Sequence, residues 1–134
     1  MPWPGEIADG DSMATFIVEN SKFTRDGIDH RQLMPSNRYG NTSVFRIDGL
    51  GADEIAQVGH GEVALPRAKP GILGWAELQA ADVRSTTPLT VNPDEPPSRH
   101  AVIESWPAQP QHRRTLALAL ASKVRAVVRR STAP

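Results

Sequence analysis

The sequence predicts an α+β fold: a small mixed, mainly antiparallel sheet of four to five strands, one short helix, and a long C-terminal helix packed on one face. The chain of 134 residues has about the length of one domain. Short β-type runs alternate with connections of uneven length, and the last apolar pattern has the period of an α-helix. The 12 prolines and 10 glycines favour irregular connections over a helical bundle. A compact α/β arrangement is the alternative.

The two ends of the chain differ in composition. Residues 1–12 are rich in Pro, Gly and Asp and show no apolar period, so we predict a disordered N-terminal arm, followed by a single globular domain over residues 13–134. The first residues lack the basic and apolar regions of a secretory signal. No segment reaches the roughly 18 consecutive apolar residues of a membrane span. We therefore expect a cytoplasmic protein that does not associate with membranes.

Five segments are predicted to be strands because each is short and rich in β-branched, aromatic or aliphatic residues. They are residues 15–19, 43–48, 72–78, 89–91 and 99–106. In the second segment Phe45 and Ile47 point to one face of the sheet and Arg46 points to the other, since side chains alternate along a strand. The proline-rich segment 88–98 precedes the last strand and is predicted to be an exposed turn.

Two helices are predicted. Residues 51–59 form the short one, because Asp53 and Glu54 suit its first turn and Gly59 is a natural C-terminal stop. The long one runs from Gln111 to about Arg129, with Pro110 suited to its first turn. Its apolar face consists of Leu116, Leu120, Val124, Val127 and Val128, which recur at helical spacing.

The basic residues are unevenly distributed. Net charge is zero, yet the segment from Ser105 to the C-terminus holds six Lys and Arg residues and no acidic residue. On the predicted helix Arg114, Arg125 and Arg129 lie close together beside the apolar face, so they are the candidate partner-binding residues. The alternative is a purely structural role, in which these cations complement the helix dipole and pair with acidic residues of the same chain.

Arg46, Arg99 and His100 are the candidate anion-binding residues. Two arginines that converge on one sheet face would form a forked site for phosphate or carboxylate. If the odd-numbered residues of both strands face the core, the even-numbered Arg46 and His100 lie together on the opposite face. The alternative is that all three residues are solvated or paired on two ordinary strands.

A histidine beside such an anion site is a candidate general acid or base. His100 and Glu104 are therefore the candidate catalytic residues, and Asp94, Glu95 or Glu104 could orient the imidazole ring. No glycine-rich phosphate loop, GxSxG motif or close metal-binding histidine spacing accompanies them. The absence of cysteine excludes disulfides and thiolate metal sites. We predict no metal and no cofactor.

The sequence favours a small intracellular bacterial protein that acts by binding a macromolecular partner. A protein partner is favoured over nucleic acid, which remains an alternative for the basic C-terminal helix; the binding features would be that helix and segment 88–98. The second hypothesis is an enzyme or ligand-binding module for a phosphorylated or nucleotide-like anion that uses Arg46 and His100. The first hypothesis makes the protein non-enzymatic. The sequence predicts no oligomeric state.

Overall fold

A computed structural model describes residues 5–130 and contains one antiparallel sheet with helices on both faces. The strands are β1 (Ser12–Ile17), β2 (Thr42–Arg46), β3 (Gly74–Gln79), β4 (Thr90–Pro93), β5 (His100–Glu104) and β6 (Ala126–Arg129). The helices are α1 (Ala52–Gly59), α2 (Ala80–Arg84) and α3 (Pro110–Ala121). The strand order is β4-β5-β2-β1-β3-β6. The α+β class is confirmed, but the described residues contain six strands rather than four or five.

Each face of the sheet carries its own apolar core. On one face, side chains of Met13, Val44, Leu78 and Ile103 pack with Leu116 and Leu120 of α3. On the other face, Phe16, Phe45, Ile47 and Trp75 pack with Ile55 and Ala56 of α1. Alternate residues of the central strands are therefore buried on opposite sides. None of the helices in residues 5–130 is long and apolar enough to cross a membrane.

Helix α1 begins one residue after the predicted start and ends at Gly59 as predicted, but the chain does not leave the helical conformation there. The Glu54 carboxylate accepts the Gly51 N–H at 3.1 Å, which caps the first turn. Gly59 serves close packing instead: a Cβ atom there would lie 2.5 Å from Cδ1 of Phe16. The chain continues from α1 through a π-helical turn (His60–Ala64) and a 3-10 turn (Leu65–Arg67).

The predicted long C-terminal helix is wrong in its second half. Helix α3 ends at Ala121, and the chain then forms strand β6, which pairs with β3 from Glu77–Ala126 to Gly74–Arg129. β-branched valines pack well in strands, and the open edge of β3 supplies backbone partners that a helix end in water lacks. Val127 and Val128 accordingly pack on opposite faces of the sheet rather than on one helix face.

The segment predicted to be a disordered arm contacts the rest of the chain wherever the structure describes it, from residue 5 onward. Ile7 is buried in the core that includes α3. The backbone carbonyls of Asp9 and Asp11 accept the N–H groups of Ala81 and Ala80. Residues 1–4 lie outside the described residues. The independent folding of residues 13–134 stays a prediction.

Candidate functional site

A cleft opens near the middle of the sheet because β1 and β2 pair over only part of their length. The two strands pair at Met13–Arg46 and Ala14–Phe45, whereas β1 pairs with β3 along all six of its residues. Beyond Ala14 and Phe45 the two strands separate, and a cleft of about 600 Å³ lies between and around them. That volume falls in the range of small-molecule sites.

The segment after β1 holds the two strands apart. Nε2 of Gln32, in a 3-10 turn, donates to Oγ1 of Thr15 and to the carbonyl of Phe16, both at 2.8 Å. The Thr42 hydroxyl donates to the Leu33 carbonyl at 2.7 Å. The Gln32 amide thus takes a β1 carbonyl that would face β2 in a continuous ladder, so the gap is stabilised by hydrogen bonds.

Three polar side chains meet on one wall of the cleft. Oγ of Ser43 lies 2.6 Å from Nε2 of His100, and Nδ1 of His100 lies 3.3 Å from Oδ2 of Asp94. His100 stands opposite Phe45 in the β2–β5 register, with ring centroids 5.1 Å apart. Ser43 is two residues before Phe45 and so shares its face. All four residues line the cleft.

Backbone contacts determine the tautomer of His100. Nδ1 also lies 2.9 Å from the backbone carbonyl of Asp94. A carbonyl oxygen only accepts hydrogen bonds, so Nδ1 of the neutral ring carries the proton and donates it. Nε2 is then the acceptor for the Ser43 hydroxyl. The Asp94 N–H donates to the His100 carbonyl at 2.9 Å, which holds the two residues together.

The remaining lining combines charged and polar residues with a smaller apolar surface. Lys22, Arg31 and Arg67 supply positive charge, and Phe45 and Val63 are among the apolar residues. Two of the cations already have partners: Lys22 lies 3.6 Å from Glu19, and Arg31 makes a two-armed contact with Asp29. Polar and charged residues outnumber the apolar ones along the lining, so hydrogen bonds and charge would contribute most to holding a ligand there.

The Asp29–Arg31 pair also supports the 3-10 turn that carries Gln32. Asp29 accepts the Arg31 N–H at 2.9 Å, which caps that turn. The side-chain hydrogen bond from Arg31, followed by this backbone bond, lowers the pKa of Asp29 below its ordinary value. A carboxyl group whose pKa is lowered in the folded protein stabilises the fold at pH values above its unfolded-state pKa. That contribution is lost as the pH falls through the lowered value.

Arg31→Met is expected to raise the pKa of Asp29 toward its ordinary value, because the guanidinium hydrogen bond disappears. The return should be incomplete, since the backbone N–H at residue 31 still donates. An NMR titration of the Asp29 carboxyl carbon measures the shift. An unchanged Asp29 pKa in the variant would contradict this account of the pair.

Arg46 lies on the opposite face of the sheet from His100. The Arg46 side chain is buried, with its guanidinium 3.0 Å from Oδ2 of Asp11 and a further bond to the Gly5 carbonyl at 3.1 Å. The structure therefore does not bring Arg46 and His100 to one face. The sequence argument assumed that the odd-numbered residues of β2 and of β5 are buried in the same core. Both sets are buried, but on opposite faces of the sheet, so Arg46 and His100 also lie on opposite faces.

Two other predicted site residues also lie away from the cleft lining. Arg99 has a positive φ of 72°, and its guanidinium is 3.4 Å from the carbonyls of Arg46 and Asp48. Glu104 accepts a hydrogen bond from the Asn92 side chain at 3.1 Å. Of the predicted anion-binding and catalytic residues, only His100 lines the cleft.

The three predicted partner-binding arginines do not share a helix. Arg114 is exposed on α3, whereas Arg125 and Arg129 follow it in the β6 region. Arg125 forms a two-armed contact with Asp82, which raises the pKa of Arg125. The Arg129 guanidinium lies 4.4 Å from the ring centre of Phe23. Partner binding through these residues stays a prediction, but the helical surface proposed for it is not formed.

Sequence reasoning missed Ser43, Gln32 and the three cleft cations. Ser43 has the same strand parity as Phe45, which was a usable signal, but its contact with His100 depends on the β2–β5 register. Asp94 was identified as a residue that could orient His100, and the structure brings the two together. Comparison with known protein families, curated proteins and solved structures finds no match.

Proposed function

We propose that the protein binds a small organic anion with an apolar group in the cleft between β1 and β2. The observation that carries this proposal is the cleft of about 600 Å³ itself, held open by the two Gln32 hydrogen bonds. A gap in the middle of a sheet costs free energy because backbone hydrogen bonds between the two strands are not formed. Proteins retain such local costs at functional sites, and ligand sites are among them.

Three cations (Lys22, Arg31 and Arg67) and two carboxylates (Glu19 and Asp94) line the cleft, and this small excess of positive charge supports an anionic ligand. Arg67, at the end of the 3-10 turn after α1, is an exposed lining residue and is the cation best placed to form a new charge-assisted hydrogen bond. Lys22 and Arg31 already contact carboxylates, so their net attraction for a ligand is smaller. Phe45 and Val63 supply the apolar surface against which the rest of the ligand would pack.

This proposal keeps the anionic ligand of the second sequence hypothesis, broadens its phosphorylated or nucleotide-like class to small organic anions with an apolar group, and changes its residues. His100 remains in the site, while Arg67 takes the role that the sequence suggested for Arg46. The first hypothesis, a macromolecular partner, stays a prediction, and its predicted basic helical surface is divided between α3 and β6.

Phenyl phosphate is the probe we would use, because it combines a dianion with one aromatic ring. In a ¹⁵N–¹H NMR titration we expect saturable shifts at the amides of Thr15, Phe16 and Ser43. Arg67→Met should weaken binding roughly tenfold, which corresponds to the loss of one charge-assisted hydrogen bond. Arg114→Met, which removes a cation on α3, should leave the affinity unchanged.

Inorganic phosphate at matched ionic strength is the control for charge alone, since salt screens surface charges nonspecifically. It should bind more weakly than phenyl phosphate because it lacks the apolar ring. Shifts scattered over the whole surface would contradict the proposed site, as would equal losses of affinity in the two arginine variants.

A further inference from the structure

We infer that Ser43, His100 and Asp94 form a catalytic set that hydrolyses carboxylic esters in this cleft. The inference rests on the proposed function insofar as the same cleft receives the substrate. Ser43 is the nucleophile, His100 is the general base and acid, and Asp94 orients the ring and stabilises its charged form. Such sets are identified by geometry and roles, not by chain order or fold.

The contacts meet the geometric requirements for this chemistry. The 2.6 Å separation of Ser43 Oγ and His100 Nε2 lies within hydrogen-bond reach of a base from its nucleophile. The Asp94 carbonyl imposes the tautomer in which Nε2 is free to take the hydroxyl proton. The Asp94 carboxylate, 3.3 Å from Nδ1, stabilises the imidazolium that then forms. Ser43 itself is exposed to the cleft.

The backbone of β2 supplies a donor for the oxyanion. The Ile47 N–H donates toward β1, to Ser12, whereas the Arg46 N–H donates toward β5, to Arg99. By the same alternation the Ser43 N–H points toward β1. The β1–β2 ladder has already ended there, so this amide is directed into the cleft beside the Ser43 hydroxyl. A nucleophile's own N–H is a recurrent oxyanion donor.

The reaction proceeds in two balanced halves. As the bond forms between Ser43 Oγ and the ester carbonyl carbon, the hydroxyl proton moves to Nε2 of His100. The ester C–O bond then breaks, and Nε2 returns that proton to the leaving alcohol. In the second half, water attacks the acyl-serine and gives a proton to Nε2. The Oγ–acyl bond breaks, Oγ regains that proton from Nε2, and a carboxylic acid is released, which gives its own proton to solvent and becomes a carboxylate.

A fluorophosphonate probe tests the nucleophile directly, because it forms a stable covalent adduct with an activated serine. We expect intact-mass spectrometry to show one adduct per chain, located at Ser43 by peptide mapping. Ser43→Ala should abolish the adduct, and His100→Gln should slow its formation roughly 100-fold, the usual effect of losing a general base. Hydrolysis of 4-nitrophenyl acetate should fall by a similar factor in both variants.

Two control variants lie outside the cleft. His112→Gln replaces an exposed histidine on α3, and Ser122→Ala replaces the exposed serine after that helix. Both should label and hydrolyse like the unaltered protein. If no adduct forms at Ser43, or if His100→Gln is labelled as fast as the unaltered protein, the contact between Ser43 and His100 is an ordinary cross-strand hydrogen bond. Either result would overturn the inference.

Phenyl phosphate separates this inference from the proposed function. It should still bind to Ser43→Ala and should slow labelling of the unaltered protein by occupying the cleft. Binding without any labelling would overturn the catalytic set and leave the anion site intact. Labelling at Ser43 without phenyl phosphate binding would overturn the anion proposal and leave the nucleophile in place.

Discussion

Replacing Leu120 by alanine is expected to lower the free energy of unfolding by about 3 kcal/mol, within the range for large-to-small core substitutions. Leu120 lies on α3, is fully buried, and packs in the core that includes Met13, Val44 and Ile103. Removing its branched end leaves a cavity that the surrounding side chains fill only in part. Urea denaturation followed by circular dichroism measures the change.

Leu118→Ala is the matched control, because the same substitution occurs two residues away on the same helix. Leu118 is 49% exposed, so its loss should cost under about 1 kcal/mol. Equal losses in the two variants would mean that α3 is not docked on the sheet in solution as the structure describes.

Asp11→Ala is expected to lower the free energy of unfolding by about 3 kcal/mol, because it removes the carboxylate from a buried guanidinium. The Arg46 side chain is only 4% exposed, and Oδ2 of Asp11 lies 3.0 Å from it. The same carboxylate oxygen accepts the Ala8 N–H at 2.8 Å, so the variant also loosens the N-terminal segment. The bonds to the Gly5 and Glu6 carbonyls remain and hold the loss near the lower end of the expected range.

Asp9→Ala provides the comparison. Asp9 also pairs with an arginine, at 2.7 Å from Arg84, but the two side chains are 75% and 37% exposed. Solvent screening reduces the contribution of such a pair to under about 1 kcal/mol. The two variants should therefore separate clearly in urea midpoints. Small, equal effects would favour the disordered arm that the composition of residues 1–12 suggests.

Local sequence patterns predicted most of the strands and helices whose buried residues recur at the spacing typical of that type of element. The five predicted strands overlap β1 to β5, and α1 begins near its predicted first residue. For α3, Pro110 and the Leu116–Leu120 spacing were sufficient signals. The valines that follow Ala121 fit a helix face and a strand equally well, and only the open edge of β3 decides between the two.

The candidate site was predictable only in part, for a reason that lies in the sheet's two cores. The alternation of side chains along one strand predicts which of its residues lie on the same face. It does not predict which of the two faces of the sheet that is. Phe45 and Ile103 are both buried, yet on opposite faces, so His100 lies beside Phe45 and away from Arg46. The β2–β5 register carries that information, and it is a long-range property.

The sequence by itself determined the α+β class, the burial of Leu116 and Leu120 on α3 and the absence of any cysteine chemistry, because these follow from composition and from spacings within one segment. Only the tertiary structure decided the sixth strand, the burial of Arg46, and the meeting of Ser43, His100 and Asp94. Each of these depends on pairing between segments distant in the chain. A hydrogen bond or ion pair forms where the backbone brings its partners together, and local residue preferences do not specify that place.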